Sequence, residues 1–154
     1  MTLAHKSILV LDDEFDIVAI IKDTLQKQQQ QQYGIDVYAF TDPLLALEHF
    51  QLNFKDYVLV LSLIRMPGMN GFEFVKRVRA INPIIKVLLM SAFNVSDCEF
   101  SNPLSSINVD GFVQKPISLR DLKSTIQKYT NGVNKKTIIK SHKSQGIYKP
   151  DRDY

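Results

Sequence analysis

A single cysteine, Cys98, in 154 residues rules out an internal disulfide and a multi-thiolate zinc site. It reads as a small apolar residue in a chain expected to work in a reducing compartment. Long hydrophobic runs are missing as well: none approaches the roughly 20 residues that a membrane-spanning helix needs. The first apolar run, Ile8 to Leu11, is too short for a signal peptide and closes on Asp12, Asp13 and Glu14. A cytoplasmic protein that avoids membranes is therefore expected. Nor is there a large excess of either charge, with 19 Lys/Arg against 16 Asp/Glu and a net of +3. That small surplus is unevenly placed. Residues 132–154 hold six basic residues (Lys135, Lys136, Lys140, Lys143, Lys149, Arg152) against Asp151 and Asp153, a net of +4, which leaves 13 against 14 in residues 1–131, a net of −1. A slightly acidic domain over 1–131 thus carries a basic tail over 132–154, expected to be disordered.

What is present is an ordinary globular composition, 45% apolar and 23% charged, in a length that suits one domain with one core. Ile8 to Leu11 is too continuously apolar for a strand with one wet face, as expected of a parallel sheet covered on both sides. Ile17, Val18, Ile20, Ile21 and Leu25 then recur at helical spacing, and the run Gln28 to Gln32 extends that helix into a solvated end and loop. Ile35 to Phe40 reads as a partly polar edge strand. Asp42-Pro43 starts a second helix, whose stripe is Leu44, Leu45, Leu47 and Phe50. Tyr57 to Leu61 is the third strand, and Phe72, Val75, Val78 and Ile81 mark a third helix. Ile85 to Met90 and Gly111 to Val113 complete five strands, with a short helix expected near Asp97 to Phe100. Ser118 with Asp121 caps a last helix carrying Leu119, Leu122, Ile126 and Tyr129. Strands alternating with helices give an α/β doubly wound five-stranded parallel sheet, order 2-1-3-4-5, with helices on both faces.

Such a sheet places its ligand site beyond the carboxyl ends of its strands. There the sequence puts Asp12 and Asp13 after the first strand, position 63 after the third, Ser91 after the fourth, and Lys115 before Pro116 after the fifth. Clustered carboxylates repel unless a cation compensates, which suits a hard ion such as Mg²⁺. A lysine and a hydroxyl beside them would suit phosphoryl oxygens. Each residue taken singly has a plainer role: Asp12 and Asp13 as caps on the first helix, Lys115 as their counterion, Ser91 as a turn residue.

The stretch Tyr57 to Gly71, with Met66-Pro67-Gly68 in its loop, together with Asp12, Asp13, Ser91 and Lys115-Pro116, resembles the receiver domains of response regulators over about residues 6 to 131. The resemblance implies that Asp12, Asp13 and the backbone carbonyl of Arg65 are Mg²⁺ ligands, that Lys115 pairs with the phosphoryl group, and that Ser91 and Phe112 form the switch pair. It also implies an aspartate four residues before the loop proline. This chain has Leu63 there. Leucine has no lone pair with which to attack phosphorus and removes one metal ligand. The expectation is weak or absent Mg²⁺ binding and no aspartyl phosphate. Ser62 is no substitute, because strand alternation turns it to the other face, and His5, His49 and His142 share no motif.

The reading that follows is a stand-alone receiver module of a two-component phosphorelay, incompetent for phosphorylation at Leu63, acting by protein contacts with a sensor histidine kinase or another signalling protein. It is not an enzyme and takes no small-molecule substrate. One alternative is an ordinary Asp-phosphorylated regulator seen in a Leu-substituted form, since the rest of the pocket is complete. Another, of a different class and less favoured, is nucleic-acid binding through the basic tail with its interleaved Tyr148 and Tyr154.

Overall fold

The runs read as buried strands do lie side by side in one sheet. The computed structural model describes residues 6–92, 108–134 and 147–148. In order they form β1 (Lys6–Leu11), α1 (Phe15–Tyr33), β2 (Ile35–Phe40), α2 (Pro43–Asn53), β3 (Tyr57–Leu63), α3 (Gly71–Ile81), β4 (Lys86–Ser91), β5 (Gly111–Gln114), α4 (Leu119–Asn134) and β6 (Ile147–Tyr148). The first five strands are parallel in the expected order, 2-1-3-4-5. The sixth was not expected: Ile147–Tyr148 pairs antiparallel with β5, extending the sheet at that edge. The last helix runs to Asn134, three residues past the boundary set at 131. The short helix read near Asp97 to Phe100 falls outside the described residues.

Strand alternation sorts the core into two layers. Leu9, Leu11, Val60, Leu89 and Phe112 face α2 and α3, meeting Phe50, Phe74 and Val75. Ile8, Val10, Leu61, Met90 and Val113 face α1 and α4, meeting Ile21, Leu25, Leu122 and Ile126. Both faces of the sheet are thus covered, which is why β1, β3 and β4 read as unbroken apolar runs.

Capping fixes where the helices begin. The Asp42 carboxylate accepts from Leu44 N at 2.9 Å with Pro43 in the first turn, and the Asn70 side chain accepts from Glu73 N at 2.9 Å. Ser118 Oγ accepts from Asp121 N at 3.1 Å, as its spacing suggested. The stripe read for α2 is corrected: its buried residues are Pro43, Ala46 and Phe50, while Leu44 and Leu45 are exposed. The cap at Asp42 sets the helix phase, and that phase points Pro43, Ala46 and Phe50 inward at i, i+3 and i+7. The Gln28 to Gln32 run belongs wholly to α1, with no loop before Gly34. Gly71 is dictated by space. Its N–H donates to Ile64 O at 2.6 Å, and a Cβ there would sit 2.3 Å from Leu63 O.

Candidate functional site

The site residues converge where β1, β3, β4 and β5 end. Asp12 follows β1 directly, its N–H donating to Phe40 O at 3.1 Å, which keeps the backbone extended into the turn. Its carboxylate points inward and is fully buried. One oxygen, Oδ1, accepts from Glu14 N at 3.0 Å; the other, Oδ2, meets Lys115 Nζ at 2.6 Å. Glu14 Oε1 lies 3.8 Å from the same ammonium. Lys115 is held from its backbone as well, donating N–H to Ser91 O at 2.8 Å, so the ends of β4 and β5 and the start of the following loop are tied together.

A shallow cavity of about 180 Å³ opens beside this pair, lined by Asp13, Glu14, Leu63, Arg65, Ser91, Ala92 and Lys115. Leu63 terminates β3 nearly buried and packs into the α1/α4 layer with Met66 against it. Ser62 is buried, outside the cavity wall, with its hydroxyl donating to Leu63 O at 3.0 Å. Phe112 is buried in the opposite layer, paired across β4 with Leu89.

Asp13, Leu63, Arg65, Ser91 and Lys115, all selected from sequence, thus line one cavity, with Asp12 directly beneath. Phe112 stands apart from it, inside the core. Sequence reasoning overlooked Glu14 and Ala92, although both adjoin residues it had selected. The pairing of Lys115 with Asp12 matches the plainer counterion role, but inside the protein rather than in solvent: the lysine side chain is 16% exposed and Asp12 0%.

The donor set does not fit a divalent cation in this arrangement. Mg²⁺ asks for several oxygens around one point in near-octahedral geometry. Here the Lys115 ammonium already holds Asp12 Oδ2 at 2.6 Å and would repel a second cation, position 63 contributes hydrocarbon, and among the described residues no group of three or more acidic, His or Cys side chains converges on a common point.

The clearest perturbed titratable group lies elsewhere. Burial, with Tyr38 and Asp56 nearby, pushes the Tyr57 hydroxyl well above the usual tyrosine range. Tyr57 begins β3, at the far end of the strand from the cavity, and its hydroxyl pairs with His49 Nδ1 at 2.7 Å. It is a structural group. Among the described residues no helix is long and apolar enough to cross a membrane.

The chain is 26% identical over 128 residues to sporulation initiation phosphotransferase F of Bacillus subtilis, covering 82% of this chain and 95% of that protein. It is 29% identical over 140 residues to the transcriptional regulatory protein ZraR of Escherichia coli, covering 89% of this chain but only 30% of that protein. Its fold is similar to that of the Vibrio cholerae chemotaxis protein CheY4, with a TM-score of 0.68 and 26% identity over 82% of this chain and 99% of that one. The family model for the response regulator receiver domain matches residues 8–127. On that match the chain belongs to the response regulator receiver domains of two-component signalling.

Proposed function

We propose that this chain is a receiver module that signals by contact with other proteins, among them a sensor histidine kinase, and that it is not charged with phosphate. It has no separate substrate and turns nothing over. The observation that carries this reading is the end of β3. Where phosphoryl transfer within the family fold needs an ionised oxygen in line with the donor phosphorus, the side chain is the nearly buried Leu63, packed into an apolar layer. The neighbouring acid, Asp12, is buried and held by the Lys115 ammonium and by Glu14 N–H. The lysine that would neutralise a phosphoryl group instead neutralises a buried carboxylate. The ratio of the domain's conformations is then set by packing rather than by phosphorylation.

The test is to incubate the full chain with a small phosphodonor and Mg²⁺ and weigh the intact protein. The expected mass is unchanged, and a stoichiometric phosphate adduct overturns the proposal. A second reading, an ordinary acceptor carrying Leu in place of Asp, is favoured by the presence of Asp13, Ser91 and Lys115 around one cavity with Asp12 below it. Leu63→Asp separates the two. If the variant binds Mg²⁺ tightly and takes up phosphate, the pocket is an acceptor site lacking one group. If it does neither, the Asp12–Lys115 pair is the resting arrangement of a module that works without phosphate.

A further inference from the structure

The strand Ile147–Tyr148 plays no part in the function proposed above, yet it touches the strand that delivers Lys115. β5 spans only Gly111–Gln114, and without a neighbour its outer edge would present unpaired N–H and C=O groups. The chain itself fills that edge: Tyr148 lies opposite Phe112 and Ile147 opposite Val113. The sequence marks the insert, since Ile147, Tyr148 and Lys149 stand between Gly146 and Pro150, residues that punctuate a short extended segment. Its delivery is feasible. Because β6 runs antiparallel to β5, the distance to be bridged between Asn134 and Ile147 is about the length of α4, about 24 Å for its residues at 1.5 Å each. Residues 135–146 reach roughly 40 Å when extended at about 3.3 Å each.

β5 is pinned at both ends on its inner side. At its start, the Asp110 carboxylate accepts from Val87 N at 2.8 Å and from Arg79 Nη2 at 3.2 Å, and its carbonyl accepts from the Tyr129 hydroxyl at 3.1 Å. Just past its end, Lys115 N–H holds Ser91 O at 2.8 Å and its ammonium holds Asp12. A strand this short, fixed at both ends and flanked on both edges, behaves as one stiff unit. What grips its outer edge also steadies the lysine one residue beyond it.

We infer that the C-terminal segment at Ile147–Tyr148 is a strap on the outer edge of β5, and that its seating is coupled to the Lys115–Asp12 pair in the cavity. The tail is then an input to the cavity: whatever draws residues 147–148 off the edge loosens the lysine, and whatever opens the ion pair loosens the strap by the same factor, as linkage requires. The coupling stands whether or not position 63 is ever charged.

The experiment uses the full chain with Ile147→Pro and Tyr148→Pro together: in an antiparallel pair only one of two successive residues points its N–H at the neighbouring strand, so replacing both removes that donor whichever residue carries it. Amide hydrogen exchange is read at β5 and at Lys115. Exchange at the outward β5 amides and at the Lys115 amide is expected to rise at least about tenfold, with β1 and β3 unchanged. The reverse arm, Asp12→Asn, is expected to speed exchange at Ile147 and Tyr148. Faster exchange at β5 with Lys115 unaltered overturns the coupling, and no change at either place overturns the strap. Because the proline variant alters only the tail, that arm decides the matter even if Asp12→Asn does not fold.

Discussion

Asp12 shows how much a single side chain can settle. A fully buried carboxylate is tolerable only when paired and hydrogen-bonded, and here Lys115 Nζ at 2.6 Å and Glu14 N at 3.0 Å supply both conditions. Lys115→Met is therefore expected to destabilise the domain by about 3 kcal/mol, since it leaves the anion buried without a counter-charge. Urea denaturation midpoints check this, and Lys115→Met combined with Asp12→Asn should lose less than Lys115→Met alone. A loss below about 1 kcal/mol for the single change would class the pair with ordinary surface ion pairs. The sequence made Asp12, Asp13 and Lys115 visible as candidates, because polar residues at the ends of apolar runs stand out. It did not show which aspartate turns inward. That depends on the Asp12 N–H reaching Phe40 O and on a partner 103 positions away, which no local pattern encodes. Leu63 was legible for the opposite reason: a mismatch within an otherwise matching motif needs no coordinates to be seen.

Among the elements, the strands were the most legible and the helix faces the least. β1, β3 and β4 are apolar along almost their whole length, so any register buries them. α2 is apolar on most sides, with leucines at 44, 45, 47 and 52, and only the Asp42 cap decides which face turns inward. Composition could not choose; the cap could. The join between α2 and β3 was equally hidden, because His49 has no motif partner in sequence. In the fold its ring lies 4.5 Å from Tyr38 and 5.8 Å from Tyr57 between ring centroids, and Nδ1 takes the Tyr57 hydroxyl. Tyr57→Phe is expected to cost about 1 kcal/mol at neutral pH, the usual worth of one such bond. The pH dependence has a definite sign. Tyr57 holds its proton more tightly folded than unfolded, so its stabilising contribution is flat below the unfolded tyrosine value near 10 and falls above it by about 1.4 kcal/mol per pH unit. Thermal melts between pH 7 and 11 should show this added alkaline loss in the natural chain and not in Tyr57→Phe. Parallel curves for the two would place the hydroxyl in water.

For the whole molecule, the question is how an open sheet ends without recruiting another chain. At one edge the answer is β6 on β5. At the other edge, β2, a side chain contributes: Gln26 on α1 turns its Oε1 to accept from Val37 N at 2.8 Å, covering an N–H that would otherwise face outward. In sequence Gln26 is indistinguishable from the glutamines of the run that follows it, and only the packing of α1 beside β2 singles it out. Gln26→Leu removes the acceptor and keeps the helix, since leucine is an equally good helix former. The fold should lose only about 1 kcal/mol, but the β2 edge then carries a free donor beside the buried Val37. The expected outcome is concentration-dependent self-association of Gln26→Leu in sedimentation velocity, with Gln26→Glu, which retains an acceptor oxygen, behaving like the natural chain. If both variants sediment identically at every concentration, the edge is guarded by something other than this glutamine, and the twist and shortness of β2 itself become the explanation to test.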